Sequence, residues 1–215
     1  MQAQILPEDH PELPLYTEAL LRRELHIFRE WFMEGLLNLR LNRVEEALWA
    51  SVSERLVLEA LDQTVVFVHR DFHSRNLMVT GVTSPGVLDF QDAVLGPLTY
   101  DAVSLLRDCY LLWPEKQVDA WLEAFRIRLL DGNVSGSASA EAFRRKFDLM
   151  GMQRHLKAVG IFARLQQRDH KPGYLADIPR TLSYVTMVTT AYPELADFGR
   201  FLEDRIYHRL PAVLP

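Results

Sequence analysis

The run Val65-Val66-Phe67-Val68 ends directly at His69, and this junction constrains the chain more than any other stretch. A run this short, β-branched and aromatic, suits a buried strand and not a helix. It hands the chain to a polar segment, His69-Arg70-Asp71-Phe72-His73-Ser74-Arg75-Asn76. Two further apolar runs follow, Leu77 to Thr80 and Gly86 to Phe90, separated by Gly81-Val82-Thr83-Ser84-Pro85. That connection has hairpin length, with Gly and Pro at its edges, so a small β-hairpin is expected.

Everything around this centre reads as helix. Leu20, Leu21, Leu25, Phe28, Trp31 and Phe32 recur at three- and four-residue steps, the spacing of one buried helix face. A second helical period runs from about Arg43 to Leu61. After Pro97 the expected helices are Thr99 to Leu112, Pro114 to Leu130, Glu141 to about Gln167, Ile178 to Ala191, and Glu194 to about Leu210. Residues 1–14, with Pro7, Pro11 and Pro14, read as an extended lead-in, and Gly132 to Ala140 as a flexible connection. The expected class is α+β, mostly helical, in one large domain over 15–215; with 215 residues, 48% of them hydrophobic, the chain can bury a sizeable core.

The charge balance narrows the partners. A net charge of -5 argues against a nucleic-acid surface, which needs clustered Lys and Arg. Charged residues interrupt every longer apolar stretch, so no membrane anchor is expected. Cys109 is the single cysteine, which excludes an intrachain disulfide and suits a cytoplasmic protein.

The residues that carry chemistry sit where the strand ends and the hairpin opens. Asp71 lies in the loop after the strand, and Asn76 lies five residues on. A hairpin centred near Thr83 puts Asn76 opposite Phe90 and beside Asp89, so that an amide oxygen and a carboxylate share one open end of the two strands. Two hard oxygen donors suit magnesium, which keeps several waters and takes further ligands from phosphates. Strict alternation would point the two side chains to opposite faces, so a bulge or the loop exit must bring them together. A rival reading takes His69, Asp71 and His73, with Asp89 and Asp92 nearby, as ligands of a hydrolytic metal centre.

The spacing His69-Arg70-Asp71, Asn76, then Asp89 in Val-Leu-Asp-Phe-Gln-Asp resembles the catalytic and metal-binding loops of the protein-kinase-like superfamily, and more closely the aminoglycoside phosphotransferase family. Within it, the runs His-Ser-Arg-Asn-Leu-Met-Val, Gly-Val-Leu-Asp-Phe-Gln-Asp-Ala and Gly-Pro-Leu-Thr-Tyr-Asp resemble kinases of the anomeric hydroxyl of N-acetylmuramate and N-acetylglucosamine in cell-wall recycling. The resemblance implies the C-terminal lobe of a kinase-like fold, ATP with Mg2+ as cofactor, and a small sugar as acceptor. It implies Asp71 as catalytic base, Asn76 and Asp89 as metal ligands, and Asp101 as a brace of the catalytic loop; a carboxylate favoured at a helix N-terminus that Thr99 could cap explains Asp101 equally well. His69 supports the loop. His73, Arg75, Gln91, Asp92, Glu24, Trp31, Arg107 and Asp108 are candidate substrate contacts, with Trp31 also fitting a helix core face and Arg107 with Asp108 an ordinary ion pair.

The lysines, Lys116, Lys146, Lys157 and Lys171, all follow the catalytic loop, and no closely spaced glycine pair precedes Gly81. A kinase holds its nucleotide phosphates with a Gly-rich loop and a strand lysine ahead of that loop. The expectation is therefore a kinase C-lobe whose nucleotide lobe is missing, inactive alone. Its alternatives are a non-catalytic sugar- or partner-binding remnant, or a kinase of another small alcohol such as an aminoglycoside or choline.

Overall fold

Strand β1 (Val65–Val68) buries Val66 and Val68. It pairs antiparallel with β4 (Val94–Pro97), matching Val65 to Pro97 and Val68 to Val94. The sequence reading missed β4. All four of its residues are buried, so it shows no alternation, and it contains a Gly and a Pro. The glycine is required by a close approach: a Cβ on Gly96 would lie 2.9 Å from the Cβ of Tyr16. Residues 14–16 run beside β4, where the Tyr16 N–H donates to the Leu95 carbonyl at 2.8 Å and the Leu95 N–H to the Pro14 carbonyl at 2.9 Å.

The computed structural model describes residues 12–81, 84–134 and 139–214. The lead-in over 1–11, the hairpin tip at 82–83 and the centre of the Gly/Ser/Ala connection at 135–138 lie outside the described residues. The chain divides into two compact units, one of residues 1–17 and 59–151, the other of 18–58 and 152–215.

The first unit holds both small sheets. The hairpin forms, with β2 (Leu77–Met78) antiparallel to β3 (Gly86–Val87), but it is shorter than the apolar runs suggest. Its register also differs from expectation. Leu77 pairs with Val87, and the Leu88 N–H donates to the Asn76 carbonyl at 3.0 Å, so Asn76 lies opposite Leu88 and not Phe90. Helix α3 (Tyr100–Leu106) is half the expected length. It stops because Asp108, a residue type that competes for backbone donors, bonds the Tyr110 N–H at 2.7 Å. Thr99 does not cap α3; its hydroxyl donates to Gln63 Oε1 at 2.8 Å instead.

Two arginines knit α3 to α4 (Glu115–Asp131) and to the first turns of α5 (Ala140–Asp169). Arg107, 1% exposed, donates to Asp148 at 2.7 Å and to Glu115 at 2.9 Å. Arg144 bonds Asp119, Glu115 and Asp148. Burial works against the Arg144 charge, but the Asp148 carboxylate and the hydrogen bonds outweigh it and hold the guanidinium above the usual arginine range.

In the second unit, α1 (Glu18–Ile27) continues as a wider π-type stretch, Phe28–Leu36. Helix α2 (Arg43–Leu61) opens on a reciprocal cap. Asn42 Oδ1 accepts the N–H groups of Val44 and Glu45 at 2.9 and 3.1 Å, while Glu45 Oε2 accepts the Asn42 N–H at 2.8 Å. Phe28, Trp49 and Phe198 form a chain of ring contacts at 5.6 and 6.0 Å. Helices α6 (Ile178–Ala191) and α7 (Ala196–Phe201) complete the unit, and the single long helix expected after Glu194 is instead broken into α7 flanked by 3-10 and π-type turns, with Pro193 and Pro211 at its two ends.

Gly160 lies mid-helix in α5, where glycine costs about 1 kcal/mol relative to alanine. The reason is contact: a Cβ there would sit 2.6 Å from the Phe28 nitrogen and 2.7 Å from the Ile27 carbonyl carbon. Backbone cannot yield as a side-chain tip can. Gly160→Ala is expected to destabilise the fold by about 2 kcal/mol despite alanine's better helix propensity, measured as a lowered midpoint in urea unfolding.

Candidate active site

Every residue of the 69–76 loop belongs to the first unit. As β1 ends, the His69 and Arg70 N–H groups both turn to one carboxylate: Asp101 Oδ2 accepts from His69 at 2.8 Å and Oδ1 from Arg70 at 3.1 Å. Asp101 is 6% exposed on the first turn of α3. Arg70 has φ of 73°, a left-handed conformation that costs a non-glycine residue about 1 kcal/mol or more and persists only where neighbours enforce it. Two charge-assisted bonds to Asp101 do so.

The next residues fold around the Asp71 carbonyl, which accepts the His73 N–H at 3.0 Å and the Asn76 side-chain amide at 3.0 Å. The Asp71 carboxylate itself, half-buried, takes no hydrogen bond or ion pair among the described residues. Asp108 makes a second brace. Fully buried, it accepts the Ser74 N–H on Oδ2 at 2.8 Å and the Tyr110 N–H on Oδ1 at 2.7 Å.

Asn76 closes a short 3-10 turn, Ser74–Asn76, ahead of β2. Its Nδ2 also donates to Asp89 Oδ2 at 3.3 Å, and Gln91 Nε2 donates to Asp89 Oδ1 at 2.5 Å. The alternation problem is solved by the backbone: Asp89 has φ of 65°, again left-handed, which turns its side chain toward Asn76. With the Asn76 nitrogen committed to two acceptors, its Oδ1 is the atom left to a cation, and one amide oxygen plus one exposed carboxylate is a hard-donor pair that fits magnesium.

The remaining candidates divide. Gln91 contacts Asp89, and Asp92 offers its carbonyl to Arg70 Nη1 at 3.4 Å. His73 lies edge-on to Tyr110 at 5.2 Å, and the Arg75 guanidinium stacks 3.6 Å from the centre of the same ring. Buried His69 packs on Phe72, its ring nitrogens without hydrogen bonds, and its backbone N–H is the group that Asp101 holds. Buried Arg107 is engaged with Asp148 and Glu115, and buried Asp108 with the Ser74 and Tyr110 N–H groups, all in the first unit. Glu24 and Trp31 belong to the second unit. The Glu24 carboxylate is 2% exposed and bonded to Lys157 at 2.9 Å and Gln153 at 3.1 Å, and the Trp31 carbonyl accepts from Gln167. Among the described residues no three His, Cys, Asp or Glu side chains gather as a metal-binding group, so the rival His69, Asp71 and His73 ligand set is not assembled.

A braced Asp loop and an Asn/Asp oxygen pair on a small hairpin thus lie together in one mostly helical unit, the arrangement expected of a kinase-like fold. The model of the phosphotransferase enzyme family matches residues 2–143, and the chain belongs to that family, with the architecture of a kinase-like C-terminal lobe. It is 46% identical over 204 residues to the N-acetylmuramate/N-acetylglucosamine kinase of Pseudomonas putida, covering 95% of this chain and 60% of that protein. Proteins of the same name from Pseudomonas aeruginosa, at 46% identity, and Neisseria meningitidis, at 43%, align over 88% and 90% of this chain and 56% and 58% of theirs. The chain thus spans a little over half the length of these relatives. No helix among the described residues is long and apolar enough to cross a membrane.

Proposed function

We propose that this chain carries the catalytic and metal-binding half of an ATP-dependent sugar kinase, whose acceptor is the anomeric hydroxyl of N-acetylmuramate or N-acetylglucosamine. The observation that supports it most is the Asp71 carboxylate, unengaged on a loop whose backbone is fixed by Asp101, Asp108 and Asn76. Phosphoryl transfer asks the protein chiefly for positioning and charge neutralisation. Asp71 orients the acceptor hydroxyl and takes its proton as the oxygen attacks the terminal phosphorus of ATP, while the bond from that phosphorus to the bridging oxygen breaks and ADP leaves. Asn76 Oδ1 and Asp89 would hold the magnesium, which supplies neutralisation of the phosphate charge. The sugar identity comes from the names of the relatives, and the nucleotide from the phosphoryl-transfer chemistry of kinases.

The test is direct. The complete gene product, given ATP, MgCl2 and either amino sugar, should form the sugar 1-phosphate, seen by phosphorus NMR; transfer to neither sugar would sink the reading. The metal pair has its own readout. Asp89→Asn removes the one carboxylate of the pair and should weaken Mn2+ binding at least about tenfold, followed by the spin signal of free Mn2+. Unchanged Mn2+ affinity would remove Asp89 from the site.

A further inference from the structure

Asp89 is gripped by a second amide besides that of Asn76. Gln91 donates from Nε2 to Asp89 Oδ1 at 2.5 Å, while Asn76 Nδ2 donates to Oδ2 at 3.3 Å, so each carboxylate oxygen receives one amide N–H. The carboxylate is held from both flanks. A carboxylate ion only accepts, so the Gln91 amide must meet it through nitrogen.

Gln91 is exposed, and an exposed contact must repay the rotamer freedom it removes; a backbone already fixed lowers that cost. Here the backbone is fixed. Gln91 and Asp92 are the central residues of a turn closed by the Ala93 N–H on the Phe90 carbonyl at 3.1 Å, and Ala93 is buried at the head of β4, which pairs with β1. Arg70 Nη1 meets the Asp92 carbonyl at 3.4 Å, which ties the same turn to the catalytic loop. Asp89 itself stands at φ of 65°, a left-handed backbone whose cost its neighbours must offset.

A metal-ligating carboxylate is commonly oriented by an outer hydrogen-bond donor, and losing that donor costs about 10- to 100-fold in metal affinity or activity. Gln91 suits the part by chemistry as well as by place. A glutamate there would set a second negative charge against Asp89, and an apolar chain would leave the oxygen undirected.

We infer that Gln91 is a positioning residue of the cation site, acting through Asp89: its amide aims the carboxylate at the ion that Asn76 Oδ1 shares. This deepens the kinase reading and rests on it for the magnesium role of Asp89. It assigns Gln91, a candidate substrate contact on sequence grounds, to the metal and not to the acceptor.

The complete gene product decides it, titrated with Mn2+ without nucleotide while the spin signal of free Mn2+ is followed. Gln91→Met, of similar length but without a donor, should weaken Mn2+ binding about tenfold and leave the melting temperature unchanged, because the side chain is exposed. At about pH 8, where an imidazole is neutral and still carries one N–H, Gln91→His should recover part of that affinity. In turnover, Gln91→Met should need about tenfold more Mg2+ for its half-maximal rate, with KM for the sugar as in the wild type. Unchanged Mn2+ affinity in Gln91→Met, no recovery in Gln91→His, or a loss that tracks a lowered melting temperature overturns the assignment. So does a raised sugar KM with Mn2+ affinity intact, which would return Gln91 to the acceptor. If Asp89→Asn weakens Mn2+ binding and Gln91→Met does not, the metal pair stands and the positioning role alone falls. Should the wild type phosphorylate neither sugar, the kinase reading fails, while the Mn2+ titration still decides the role of Gln91.

Discussion

Asp71→Asn is expected to reduce kcat about 1,000-fold, because an isosteric amide cannot accept the acceptor's proton, and general base catalysis contributes about 10²–10⁴-fold. KM for the sugar should change little, since the amide keeps the shape and can still meet the hydroxyl. Stability should stay within about 0.5 kcal/mol of the wild type, because the Asp71 carboxylate supports no hydrogen bond among the described residues. A coupled ATP assay beside a thermal melt separates the two effects. Turnover that survives in the variant would reject Asp71 as the base.

Asp101→Asn should fail differently. Each Asp101 oxygen accepts a backbone N–H, from His69 and from Arg70, and the side chain is buried. The amide keeps one oxygen but presents an NH2 to the second N–H, so a charge-assisted bond becomes a clash of donors. The expected cost is about 2 kcal/mol of stability. Arg70 is then freed from its left-handed backbone, and Asp71, the next residue, loses its fixed position. We expect kcat to fall about 10- to 100-fold together with a lower melting temperature. A stable Asp101→Asn enzyme with full kcat would show that the loop holds its shape without this brace.

Local chemistry was the legible part of this molecule. β-branched residues ending at a polar loop announced β1, and Gly and Pro at its edges announced the hairpin. The strand β4 was hidden because burial on every side erases alternation, and because Gly96 is there for Tyr16, a contact far away in sequence. The meeting of Asn76 with Asp89 could be guessed from spacing, but its cause, a shifted register and a left-handed Asp89, is a backbone fact that no side-chain pattern reports. Tyr110 and the bracing role of Asp108 were missed for a related reason. Their hydrogen bonds join the end of α3 to a loop more than thirty residues earlier, as the 34-residue separation of Asp108 from Ser74 records. The one local clue was an Asp two residues before an aromatic where a helical period fails, a pattern shared by many ordinary turns. Burial of Glu24 beside Lys157 was equally unreadable, since 133 positions separate residues 24 and 157.

The double engagement of the Asn76 amide has a kinetic side. Its nitrogen is tied to the Asp71 carbonyl and to Asp89, so the rotors of the side chain are set before any ion arrives. A ligand already frozen gives up little rotamer entropy on capture, of which a long free side chain would lose up to about 2 kcal/mol. Neither capture nor release then waits on the amide to find its orientation. In the kinase proposed above, such a donor would favour rapid exchange of a cation that enters with the nucleotide and leaves with the spent one at each turnover.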